Sequence, residues 1–224
     1  HAARRGRRRG DHGPGGERRH MTWLTGDSPM LWYINRSTGL VLLVLFTLVT
    51  VLGVVGTSRV VPTWWARFAT VDLHRRTALM AVVLLAVHVA SAVLDGYVDI
   101  RLLDTWVPFQ SSYRPVWMGL GTVALDLWLA VVVTSLLRRR MSLLGWKLVH
   151  LLAYLAWVPA VLHGFGTGTD VTQPLVVGLT FACVGAVVVA AAWRVAVSGL
   201  ALPVRLLLGV AVVAAPVLVT GAMP

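Results

Sequence analysis

From residue 31 onward the chain alternates between long apolar runs and short breaks marked by charge, glycine or proline. Six runs, 31–55, 71–94, 115–137, 146–164, 174–193 and 202–220, match the roughly 20 helical residues needed to cross a hydrocarbon layer about 30 Å thick. The breaks carry Pro62, the polar stretch 95–113, the arginines 138–140, the glycine-rich run 164–168 and Ser198-Gly199. No run alternates with the period of a strand. Backbone surrounded by lipid must satisfy its own hydrogen bonds, so the pattern predicts an all-α membrane protein, a bundle of six transmembrane helices.

Composition agrees with a multi-pass protein of the cell membrane: 57% of residues are hydrophobic and 13% charged, with mean hydropathy +0.76. We divide the chain into a basic arm, 1–30, and a transmembrane domain, 31–224. The first 20 residues hold seven arginines against Asp11 and Glu17, are glycine-rich and have little apolar surface to bury. They read as a solvated, disordered arm rather than a nucleic-acid contact. Met21 is a candidate start. The single Cys183 excludes an intrachain disulfide. Basic residues set the orientation. Arg59, Arg67, Arg75, Arg76, Arg138, Arg139, Arg140, Lys147, Arg194 and Arg205 fall to the loops after segments 1, 3 and 5, against only Arg101 and Arg114 after segments 2 and 4. The first set is expected inside, with both termini outside. The arginines of the arm oppose that orientation unless translation begins at Met21.

The candidate chemistry lies in four histidines, the only ones after residue 20: His74 and His88, 14 residues apart, and His150 and His163, 13 apart. At about 1.5 Å per residue each pair spans roughly 20 Å. One imidazole thus sits near either face of the bilayer, and the depths of the pairs match. Two helices facing each other would offer an imidazole pair at each of two depths, the pattern expected for two stacked haems held by axial histidines. Helical phase supports the first pair, because 14 residues return within roughly 40° of the starting face. Thirteen leave His163 roughly 140° from His150 on an ideal helix. The second pair therefore requires a distortion, for which Pro159 is the candidate. Against haem ligation stands the plainer reading of histidines that bond neighbouring helices or relay protons.

The strings His74-Arg75-Arg76-Thr77 through His88, Trp117-Met118-Gly119-Leu120-Gly121, Thr134-Ser135-Leu136-Leu137-Arg138, and Trp146-Lys147-Leu148-Val149-His150 through His163-Gly164 resemble the ferric reductase-like transmembrane domain. That superfamily includes ferric reductases, NADPH oxidases and the haem membrane subunit of bacterial methionine sulfoxide reductase systems. The resemblance covers residues 31 to 200 and rests chiefly on the histidine spacing. It implies two b-type haems, with His74 pairing with His150 and His88 with His163, carrying electrons across the membrane. The chain departs from the full oxidases and reductases in having no FAD or NAD(P) site, so its expected donor is a separate flavoprotein or a quinol, and NADPH alone should leave the haems oxidised.

Smaller expectations complete the reading. Arg36, Arg75, Arg76, Arg114 and Lys147 lie where haem propionates could accept charge-assisted hydrogen bonds; facing lipid phosphates is the equal alternative. Asp126, mid-membrane, needs a partner and is expected to bond a neighbouring helix. Gly164, Gly166 and Gly168 follow a spanning helix rather than a strand, so they are not a dinucleotide fingerprint. Asn35 to Gly39 are expected to cap the first helix, with contact to the outer haem as the alternative. Trp157 is placed to touch a haem. The function read from these features is a bis-haem electron-transfer component of an oxidoreductase, passing electrons from a cytoplasmic-side donor to an outer-face acceptor such as a ferric chelate, oxygen or a redox protein. The alternative is a haem-free transporter or assembly protein with structural or proton-relay histidines.

Overall fold

The computed structural model describes residues 29–57, 67–96 and 98–197. Six α-helices are seen there: α1 (Pro29–Thr57), α2 (Arg67–Leu94), α3 (Pro115–Leu136), α4 (Leu143–His150), α5 (Leu152–Thr167) and α6 (Pro174–Ala196). Helices α4 and α5 form one apolar span, Leu143–Thr167, so among the described residues five segments are long and apolar enough to cross a membrane. No strand occurs among the described residues. The predicted sixth segment, 202–220, and residues 1–28 of the arm lie outside the described residues. Helix α1 begins at Pro29, two residues inside the predicted arm, and Arg67, Arg75 and Arg76 belong to the first turns of α2 rather than to a loop. Long arginine stems can carry their charge from a helix end to the interface; Arg76 also pairs with Asp72 at 2.7 Å on the exposed face.

Helix α1 is the hub, packing along α2 and against α6 and α5, while α3 packs along α5. In lipid the apolar effect does not drive helices together, so close approach and internal hydrogen bonding must. Ala81 of α2 and Ala156 of α5 are buried at 1% and 0% exposure, where a small side chain lets backbones meet. Leu42, Phe46 and Val49 of α1, Trp128 of α3, Trp157 of α5 and Cys183 of α6 complete the buried cluster. The buried hydroxyls of Thr47, Thr50 and Thr180 donate to carbonyls four residues earlier in their own helices, which removes the cost of an unpaired donor. Large apolar side chains such as Phe68, Leu136 and Leu175 point outward, the surface that hydrocarbon would solvate.

Helix ends follow local chemistry. Pro115 and Pro174 open α3 and α6, where a missing N–H costs nothing. Ser142 caps α4 by accepting the Gly145 N–H. The distortion required between His150 and His163 is present, but not at Pro159, which sits inside an uninterrupted α5. It is a tight turn at Leu151, where the Tyr154 N–H reaches the Leu151 carbonyl three residues back at 3.1 Å. Three-residue closure advances the chain by more degrees per residue than an α-helix and so resets the phase. A proline removes one bond and bends a helix; here the helix absorbs it.

Candidate functional site

The bundle brings the four histidines together in two facing pairs. His74 on α2 and His150 at the end of α4 have ring centroids 6.2 Å apart; His88 on α2 and His163 on α5 stand at 6.5 Å. The first pair lies toward the Arg138–Arg140 end of the bundle and the second toward the loop that carries Arg101 and Asp104. Among the described residues no group of three or more His, Cys, Asp or Glu could enclose an ion. Each pair is therefore a two-donor site.

Three of the rings are fixed in the same way. His74 Nδ1 donates to the Val49 carbonyl at 3.0 Å, His88 Nδ1 to that of Asn35 at 3.0 Å and His163 Nδ1 to that of Trp117 at 2.9 Å. A carbonyl only accepts, so Nδ1 carries the proton in each case and Nε2 keeps a lone pair for a ligand. These acceptor carbonyls lie within helices, where they already serve the backbone. They are reachable because the residue four positions later is glycine each time: Gly53, Gly39 and Gly121. Helical Cα–Cβ bonds tilt toward the N-terminus, so the side chain at i+4 would shade the carbonyl at i. A Cβ would come within 3.4 Å of the His74 ring at Gly53, 3.2 Å of the His88 ring at Gly39, and 2.5 Å of His163 Nδ1 at Gly121. In the sequence Gly39 and Gly121 stand out only as parts of the 35–39 and 117–121 stretches, and Gly53 not at all. Their signal was there: Gly39 and Gly53 repeat the 14-residue interval of His74 and His88.

The stretch Asn35 to Gly39 lies well inside α1, so it does not cap that helix. It packs on His88 instead. Asn35 Nδ2 donates to the His88 carbonyl at 2.9 Å and reaches Ser91 Oγ at 3.3 Å, and Thr38 Oγ1 lies 3.2 Å from His88 Nδ1. A cavity of about 280 Å³ runs past His88 and His163 toward the loop that carries Asp104; Arg36, Phe46, Trp128 and Trp157 also line it. Phe46 and Trp128 stack at 4.3 Å, and Trp157 Nε1 donates to Thr47 Oγ1 at 3.3 Å. An aromatic layer thus occupies the level between the two histidine pairs.

Of the basic residues, Arg36 lines the cavity but its Nε is paired with Asp170 at 2.7 Å. Arg114, in left-handed conformation at φ 41° before Pro115, donates to the Gly166 carbonyl. Arg75 and Lys147 are exposed. Gly166 and Gly168 take their role from packing, since the Trp117 ring and the Arg36 guanidinium fill the places their side chains would occupy. The half-buried Asp126 has no hydrogen-bond or ion-pair partner among the described residues, so the expected interhelical bond is not seen. The Arg36 contact holds the Asp170 carboxyl below its ordinary pKa. A depressed pKa adds stability above the unfolded value near 4 and loses it as pH falls through the folded value. Asp170→Asn should accordingly lower thermal stability slightly at pH 7, by under about 1 kcal/mol for so exposed a pair, and the gap to the parent should close toward pH 3 in a melting series.

A family model described as the ferric reductase like transmembrane component matches residues 37–161. The match takes in His74, His88 and His150 and ends two residues before His163. No curated protein and no solved structure matches the chain.

Proposed function

Since the chain belongs to the ferric reductase-like transmembrane component family, a family of transmembrane electron-transfer components, we propose that it binds two b-type haems and passes electrons from the inner face to the outer. His74 and His150 would hold one haem, His88 and His163 the other. The observation that carries this reading is the spacing of the facing rings. An imidazole nitrogen sits about 1.1 Å from its ring centroid and binds a first-row metal at roughly 2.0–2.1 Å, so an ion between two such nitrogens separates the centroids by about 6.3 Å. The two pairs stand at 6.2 and 6.5 Å. Axial side chains hold haem iron; each site has two imidazoles that would supply them. The carbonyl bonds to three Nδ1 atoms add the outer support that orients such ligands and raises their basicity.

When bound, haem supplies a one-electron carrier. The residues of the chain supply the rest. Two imidazoles per site leave no open position, which favours transfer over ligand binding. The aromatic layer of Phe46, Trp128 and Trp157 keeps water out of the level between the sites. Arg36 and Arg114 stand at the outer pair, where release of their bonds to Asp170 and Gly166 would free them for propionates. An inner-face flavoprotein or quinol donor and a small outer-face acceptor complete the proposal.

The deciding experiment is an absorbance spectrum with haem quantification on protein purified from haem-replete cells. Two haems per chain with a reduced b-type spectrum are expected. A folded, colourless preparation would refute the reading. Sidedness is checked by labelling from outside intact cells: a cysteine at Ser112 should react and one at Ser142 should not.

A further inference from the structure

His150 is the exception among the four histidines. Its Nδ1 is buried and makes no hydrogen bond, whereas the other three face carbonyls. The pattern of the other sites explains why. Thirteen residues along α3 from Gly121, the same interval that separates His150 from His163, stands Thr134 rather than glycine. The Thr134 hydroxyl itself donates to the carbonyl four residues earlier, Ala130, at 2.7 Å. The carbonyl that the pattern would offer is thus shaded by a side chain and already engaged. In its place the His150 ring lies against Trp146, one turn earlier on α4, with centroids 4.8 Å apart and planes 27° from parallel. Trp146 in turn carries the Arg138 guanidinium over its ring at 4.3 Å. A cation over an aromatic face is attractive, so the three groups form a continuous stack from the basic inner loop to the inner histidine pair.

We infer that Trp146, clamped by Arg138, is the positioning residue for His150, replacing by ring stacking the carbonyl bond that orients the other three histidines, and that this makes the inner site electronically distinct from the outer. The inference rests on the haem reading above. An imidazole whose Nδ1–H is bonded to a carbonyl is a more basic ligand and favours the oxidised iron. The outer pair has two such bonds and the inner pair one. The Arg138 charge acts in the same direction, opposing the more positive oxidised state. Both effects raise the midpoint potential of the inner site.

The test is an optical redox titration of the purified haem-loaded protein, with low-temperature EPR of its oxidised form. Trp146→Leu should alter the midpoint and the low-spin EPR signal of one haem, or release that haem, while the other is unchanged; Trp146→Phe, which keeps a stacking ring, should restore the parent behaviour. Arg138→Gln should lower the midpoint of the same haem, and Arg139→Gln, on the neighbouring exposed arginine, should leave both in place. The Arg138→Gln shift must persist in a His163→Ala background, where only the inner haem remains. If Trp146→Leu retains neither haem, the comparison of Arg138→Gln with Arg139→Gln decides. Parent-like midpoints and EPR signals in both Trp146→Leu and Arg138→Gln would overturn the inference, as would a change confined to the outer haem. Those results would leave the haem proposal standing; a parent protein without haem would remove that proposal itself.

Discussion

Replacing His163 with alanine is expected to halve the haem content of the purified protein, from two per chain to one, while leaving the remaining haem six-coordinate. This position is the most informative of the four because the family match stops at residue 161, so its role rests on sequence spacing and geometry. His163 stands 6.5 Å from His88, centroid to centroid, and is anchored to the Trp117 carbonyl. His88 keeps its own anchor on Asn35 but offers a single donor once its partner is gone. The inner pair shares neither residue nor anchor with the outer one, and its haem should persist. Haem quantification with the reduced spectrum reads the result. A variant that retains two six-coordinate haems would exclude His163 as a ligand.

Gly121→Val should produce nearly the same loss without touching a ligand. A Cβ there would lie 2.5 Å from His163 Nδ1 and under 3 Å from two further ring atoms. Either the imidazole leaves the Trp117 carbonyl or α3 backs away from α5. Overpacking costs typically about 1–3 kcal/mol, and stranding a buried nitrogen roughly as much again. The combined penalty, about 2–6 kcal/mol, corresponds to a loss of roughly thirtyfold or more in affinity at that site. The effect should be graded by clearance: severe at Gly121, smaller for Gly39→Val with 3.2 Å, and smallest for Gly53→Ala with 3.4 Å. Gly178→Val and Gly185→Val, where no atom lies within 4 Å, should leave haem content at the parent level. Equal haem in Gly121→Val and the parent would contradict the carbonyl-access account.

Five of the six spans, and the facing of His74 with His150 and of His88 with His163, were legible because both depend on local counting: hydropathy over about 20 residues and rise per residue. What depended on neighbouring helices was not legible. Asn35 to Gly39 looked like caps because polar residues near the start of an apolar run usually are; their role comes from lying against His88, 49 or more residues away in sequence. Pro159 looked like the break because proline lacks an N–H, yet the turn forms at Leu151, which no residue type announces. Arg36 and Arg114 were placed at the outer end, but their partners, Asp170 and the Gly166 carbonyl, became visible only when the last turn of α5 and the loop after it packed against α1 and the start of α3. The glycines were hidden for a related reason: what matters at Gly39, Gly53 and Gly121 is the missing side chain above a carbonyl that another helix must reach.

The paired fourteen-residue intervals on α1 and α2 work as a ruler. Gly39 meets His88 and Gly53 meets His74, so two graduated rods are laid side by side in opposite directions with two marks aligned. The distance between the marks, roughly 21 Å at 1.5 Å per residue, is written in covalent count and backbone hydrogen bonds rather than in side-chain packing. Softening the surrounding contacts, by heat, detergent or a thinner bilayer, therefore leaves that length unchanged. A single inserted residue between the marks on either rod would carry one seat about 100° around its helix and misalign it, with no intermediate setting available.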